Sequence, residues 1–207
     1  MFRYLTIKKE ATVEQVIEKS RFIAHVKPVE TREEAEEFFN KIRTEHRNAT
    51  HNVPALVLGE KCEFQWASDD GEPQGTSGPP ILQMLVSEGI TKIAVMVTRY
   101  FGGIKLGTGG LVRAYTNTAK LALEAAGVCE VRERNVLFIK LDYTYLGKLQ
   151  NLAQNGEFEL LNAHYEDMVT VELGIEPERT QYLLGLLANI TGGKYEEVGI
   201  RQELIKI

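Results

Sequence analysis

Thr98-Arg-Tyr-Phe-Gly-Gly-Ile-Lys-Leu-Gly-Thr-Gly-Gly-Leu-Val-Arg-Ala-Tyr115 follows a nearly continuous apolar run, Ile90 to Val97, and opens a helical pattern that runs to Ala126. The apolar run predicts a central strand covered on both faces. The pattern beyond it predicts a long helix beginning at Leu106 or Thr108 and stopped by Gly127. Between them stand five glycines, and glycine costs conformational entropy on ordering. So many in so short a turn point to positive φ or to close approach of the backbone to another group. The charge around them points to an anion. No acid occurs between Glu88 and Glu124, whereas Lys92, Arg99, Lys105, Arg113 and Lys120 fall in that gap.

Upstream, the N-terminal part mixes strands and helices. Thr12 to Val29 reads as two strands around Glu18-Lys19-Ser20. Thr31-Arg-Glu-Glu34 is a capping box that opens a helix to about Arg47. Val53 to Leu58 and Cys62 to Ala67 read as a strand pair joined at Gly59-Glu60. Asp69 to Gly78 is a polar loop rich in Gly and Pro, and Pro79-Pro80 starts a helix ended by Gly89. Trp66, in a strand, is expected in the core.

Downstream, a strand-like linker over residues 129–135 leads to a second module. Leu137, Ile139, Leu141 and Tyr143 alternate as a strand. Lys148 to Asn155 is a short helix, Phe158 to Tyr165 a strand, and Val169 to Ile175 a third strand. Pro177 opens a helix whose stripe is Leu183, Leu184, Leu187 and Ile190, ended by Gly192-Gly193. Val198, Ile200 and Leu204 supply the last strand. The order βαββαβ is that of a ferredoxin-like module. The expected fold class is α+β, with domains over 1–134 and 135–207.

The 207 residues carry 24 Lys+Arg and 29 Asp+Glu. Residues 1–136 hold 18 of each, so the excess acid lies wholly in the C-terminal third. A basic patch on a balanced N-terminal module still suits nucleic acid. No apolar run reaches membrane-spanning length and the N-terminus lacks a signal-peptide core, so a cytoplasmic protein with no membrane partner is expected. Cys62 and Cys129 are far apart and are expected as reduced thiols.

Two loops, each just before a helix, make the candidate site. Helix N-termini present free N–H groups and a positive dipole end to phosphate. The expected RNA- or anion-binding residues are Arg99, Tyr100, Phe101, Gly102, Gly103, Lys105, Gly107, Thr108, Gly109, Gly110 and Arg113. Asp69, Asp70, Gln74, Thr76 and Ser77 form the second loop of the same surface. Tyr100 and Phe101 are the candidates for base stacking, ahead of Trp66 and Tyr115. Ser77 reads as a helix cap rather than a nucleophile. Gly102 and Gly107 have Walker A spacing, but Thr108 stands where the lysine belongs. Val112 breaks a dinucleotide fingerprint. No catalytic residue, metal site or cofactor is expected, although Asp69, Asp70 and Glu72 have the chemistry to hold a divalent ion.

Residues 69–80 and 97–115 resemble the two signature blocks of the IMPACT family, and Ser20-Arg-Phe-Ile-Ala24 resembles its early block. With the C-terminal module the resemblance covers nearly the whole chain and is to the family's bacterial, YigZ-type members. It implies an N-terminal module of ribosomal protein S5 domain 2-like fold, found also in domain four of elongation factor G. It implies a C-terminal module like that factor's domain five. Eukaryotic relatives act in translational control, through a protein partner held by a further domain that this sequence does not show. The resemblance carries no catalytic residues. It implies a non-enzymatic, translation-associated protein that binds RNA, the ribosome or a protein partner in translation. Two alternatives stand beside it. One is a phosphate- or nucleotide-binding enzyme with a small-molecule-kinase-like loop, and the other is a protein-interaction module docking through the acidic C-terminal third.

Overall fold

A computed structural model describes residues 2–207 and shows an α+β protein of two modules. The strands are β1 (Phe2–Ile7), β2 (Ala11–Ile17), β3 (Ser20–Pro28), β4 (His51–Leu58), β5 (Phe64–Ala67), β6 (Ile93–Tyr100), β7 (Val128–Leu141), β8 (Glu159–Tyr165), β9 (Val169–Ile175) and β10 (Tyr195–Lys206). The helices are α1 (Arg32–Glu45), α2 (Gly78–Ser87), α3 (Gly107–Ala126), α4 (Leu146–Gln154) and α5 (Thr180–Thr191). The chain divides into one compact unit over Tyr4–Glu130 and another over Val131–Ile207 with the residues up to Arg3.

The N-terminal sheet runs β2-β3-β6-β4-β5, antiparallel throughout. β6 sits at its centre and is buried from Ile93 to Arg99. Its side chains alternate between two cores, as the twofold strand period requires. Ile93, Val95 and Val97 join the cluster formed with α2 and α3, while Ala94 and Met96 join Phe38, Phe39 and Ile42 of α1. α3 buries Leu111, Ala114, Tyr115, Thr118, Ala119, Ala122, Leu123 and Ala126, a stripe at helical spacing. α1 starts where the capping box predicts: the Thr31 side chain accepts from Glu34 N, and Glu34 accepts from Glu30 N.

The second unit has the ferredoxin-like βαββαβ order, with β10, β7, β9 and β8 adjacent in turn and α4 and α5 packed on one face. Two expectations are corrected and one unread strand is added. The linker over residues 129–135 is part of one 14-residue strand, β7, unbroken through Leu141. Residues 2–7, unassigned from the sequence, form β1, which hydrogen-bonds to β7. Trp66 is not core: it lies on the four-residue edge strand β5 and is 41% exposed.

His25 on β3 is buried, with Nδ1 3.1 Å from Thr12 Oγ1 and its ring 5.3 Å from that of His46. Burial, then the charges of His46 and Lys41, push its pKa down to about 4. In the unfolded chain it titrates near 6.5. The unfolded state therefore binds the proton first, and stability is full above pH 6.5 and falls as pH drops towards 4. Allowing for partial solvent access, the loss is on the order of 2 kcal/mol. Urea midpoints from pH 7.5 to 4.5 should fall more steeply for wild type than for His25→Asn. Parallel slopes would assign the acid sensitivity elsewhere.

Candidate functional site

Glu72, from the polar loop, is the hub. It is buried, and its Oε1 accepts from Arg99 Nη1 at 2.7 Å and from the Tyr115 hydroxyl at 2.7 Å. His51 Nε2 stands 3.7 Å from Oε2, and its Nδ1 donates to the Asp70 carbonyl at 2.7 Å. Arg99, 4% exposed, also donates to Ser20 Oγ and lies between the rings of Phe22 and Phe101, 5.4 and 5.3 Å from their centroids. Ser20 Oγ in turn accepts from Gly102 N. Residues 20–24, 69–80 and 97–115, far apart in sequence, are thus tied into one hydrogen-bonded network. Glu72, Ser20 and His51 were not read as its members. Nothing local marks them, because their partners lie 19 to 82 residues away.

This corrects the reading of Arg99. Its charge is neutralised by Glu72 inside the protein, so it is not a free surface cation. Tyr115 is fully buried and cannot stack on a base. Burial, and then its bond to the Glu72 carboxylate, push its phenol pKa upward, so it keeps its proton. Oε1 thus accepts two bonds, and the phenol that supplies one of them is held in its neutral form.

The acids of the polar loop also have structural work. Asp69 accepts from Gly75 N, Ser77 N, Gly78 N and the Ser77 hydroxyl. Burial alone would raise its pKa, but these hydrogen bonds hold it below the usual carboxylate range. It caps α2 in place of Ser77, which occupies the N-cap position without making a side-chain cap bond. Asp70 accepts from Asn52 N at 2.6 Å, and the Thr76 hydroxyl donates to Pro73 O. Gln74 is exposed. Among the described residues no group of three or more His, Cys, Asp or Glu is placed to hold a metal.

The two loops meet at a cleft of about 380 Å³, lined by Glu72 and Pro73 from one and by Phe101, Lys105, Leu106, Gly107 and Thr108 from the other, with Arg99 and Leu111. Phe101 is 46% exposed, its ring fixed over the Arg99 guanidinium. Tyr100 is less available: its hydroxyl meets His46 Nδ1 at 2.9 Å and Arg21 covers its ring. Lys105 also lines a neighbouring hollow with Arg113, Gly110 and the Glu18 turn. Both cations are exposed and neither meets an acid within ion-pair distance among the described residues. α3 begins beside them without a side-chain cap, leaving the amides of its first turn unclaimed.

The glycines divide by role. An ideal Cβ on Gly102 would lie 2.0 Å from the Lys19 carbonyl, so Gly102 serves packing. Gly103 and Gly107 have φ of 86° and 71° and serve the turn. On Gly110 a Cβ would come 3.0 Å from Leu106 Cβ. Gly109 has neither reason: its φ is ordinary and its nearest neighbour would be the tip of Arg113, at 3.8 Å.

The Impact N-terminal domain family matches residues 18–123, half of the chain, and a domain of unknown function, DUF1949, matches residues 139–194. The chain is 44% identical to the IMPACT family member YvyE of Bacillus subtilis (strain 168), over 92% of its own length and 88% of that protein's. It belongs to the IMPACT family. It is also 32% identical to the family member YigZ of Escherichia coli (strain K12), over 92% of this chain and 95% of the relative. A solved hypothetical protein, 30% identical, superposes with a TM-score of 0.61 over 100% of this chain and 98% of that one. The Impact domain match contains all three blocks of the buried network, with Glu72 and the glycine-rich cleft inside it.

Proposed function

We propose that this IMPACT-family chain is a non-enzymatic, cytoplasmic, translation-associated protein whose N-terminal module binds RNA, free or in the ribosome, through the cleft at the start of α3. Gly109 carries the reading. A helical glycine costs about 1 kcal/mol relative to alanine, and here neither φ nor packing requires it. Its lack of a side chain serves an approaching ligand. The two unpaired cations beside it, Lys105 and Arg113, and the unclaimed amides of α3 give that ligand its charge: an anion such as backbone phosphate. Phe101 supplies an exposed ring, backed by Arg99, for a base to stack on. The C-terminal module, over 135–207 and like domain five of elongation factor G, adds to the docking on this reading. The family resemblance supports translation as the setting.

Gly109→Ala tests the reading because it moves stability and binding in opposite directions. The variant should be more stable to urea by about 0.5–1 kcal/mol and bind a labelled RNA more weakly. Lys105→Ala should lower affinity across RNA sequences and flatten log K against log salt by about 0.7, one phosphate contact. Lys148→Ala, on the acidic module, should change neither. Equal RNA affinity for Gly109→Ala, Lys105→Ala and wild type would remove this cleft as the binding surface.

A further inference from the structure

β10 is a 12-residue edge strand that among the described residues pairs only with β7, and most of it is exposed. Every second residue of such a strand turns its N–H and C=O away from its one neighbour, and an open edge of this length with apolar side chains is a template for another strand. Ile200 is 58% exposed and Leu204 45%. A bulge between Glu197 and Gly199 interrupts the first third, after which the register with β7 is regular from Gly199 to Lys206.

We propose that β10 pairs antiparallel with β10 of a second copy of this chain, on a two-fold axis at Gln202. A two-fold axis normal to a continuous sheet requires one residue to face its own copy, so every register is named by its central residue. Centring on Arg201 sets two arginines opposite each other. Centring on Glu203 sets two glutamates opposite, and centring on Ile200 sets Glu197 against Glu203. Centring on Gly199 runs the ladder through the bulge. Centring on Gln202 places Ile200 opposite Leu204 on one face, twice by symmetry, and Arg201 opposite Glu203 on the other. The seven residues Gly199–Ile205 then pair within the regular stretch. Arg201 and Glu203 already lie on a common face, where Glu203 accepts from Arg134 and Arg201 reaches Glu172 at 3.6 Å. The new pair extends that network across the axis. Cross-strand apolar and opposite-charge pairs of this kind are what stabilise sheet pairing.

Light scattering over a concentration series should show a monomer–dimer equilibrium for wild type. The double variant Ile200→Lys/Leu204→Lys should stay monomeric at every concentration with an unchanged urea midpoint, because both side chains are exposed. Gln202→Cys tests the register: mild oxidation should give a covalent dimer, since directly opposed Cβ atoms lie about 5 Å apart. Ile200→Cys should not, its own copy being roughly 14 Å away at about 3.4 Å per residue. Wild type and Gln202→Cys that remain monomeric at high concentration would overturn the proposal. So would a dimer that survives Ile200→Lys/Leu204→Lys, or equal cross-linking of both cysteine variants.

Discussion

Gly102→Ala is expected to destabilise the N-terminal module by more than about 4 kcal/mol, the range reserved for a direct structural conflict. The added Cβ would sit 2.0 Å from both the carbonyl carbon and oxygen of Lys19 and 2.5 Å from Ser20 N. All three are backbone atoms, held by the β2–β3 hairpin, whose turn residues Glu18 and Lys19 already have φ of 45° and 63°. No flexible side chain is there to give way. The same move would break the bond from Gly102 N to Ser20 Oγ, one of the ties between the early block and the glycine-rich loop. Gly78→Ala should behave alike, its Cβ falling 2.2 Å from Ser68 O. Gly103→Ala is the control: open space surrounds it, so only its φ of 86° opposes the change, at about 1 kcal/mol. Urea unfolding of the three variants should rank Gly102 and Gly78 far above Gly103. A Gly102→Ala protein as stable as Gly103→Ala would show that the hairpin turn yields to it.

These glycines show which parts of the molecule can be read from sequence. The capping box at Thr31, the apolar run of β6 and the stripe of α3 announce themselves because each is a local pattern with a local cause. The ferredoxin-like order is legible for the same reason, strand by strand. What escaped depends on partners distant in the chain. β1 becomes a strand because β7 offers it an edge, and β7 is continuous because β1, β9 and β10 all pair along it. Arg99 reads as a basic residue of a binding loop until Glu72, 27 residues earlier, is seen to neutralise it. Asp69 takes the capping role expected of Ser77, and its carboxylate comes from eight residues upstream. Within the candidate site, the sequence shows that glycines and cations coincide. What separates Gly102, which the fold needs, from Gly109, which it does not, is the Lys19 backbone packed against the one and the open space beside the other.

Glu72→Ala is expected to cost about 3–5 kcal/mol, because it leaves the Arg99 guanidinium buried without its counter-ion. It also leaves the Tyr115 hydroxyl, fully buried, without its acceptor. Removing the other partner, as Arg99→Met, should cost a comparable amount, since Glu72 then stays as a buried charge with only Tyr115 and the more distant His51 beside it. The pair Glu72→Met/Arg99→Met takes both charges away together and fills the space with apolar side chains. It should therefore be more stable than either single variant, the mark of a coupled buried pair. The same variants separate the network's structural task from the proposed RNA binding. Arg99 already has its charge compensated within the protein, so the salt slope of RNA binding should be unchanged in the folded double variant. In Lys105→Ala it should flatten by about one contact. Loss of affinity in the double variant should be confined to what Phe101 contributes, because the guanidinium that backs its ring at 5.3 Å is gone. If the double variant flattened the salt slope as Lys105→Ala does, Arg99 would be touching phosphate directly, and the cleft would have to open and release it from Glu72 on binding.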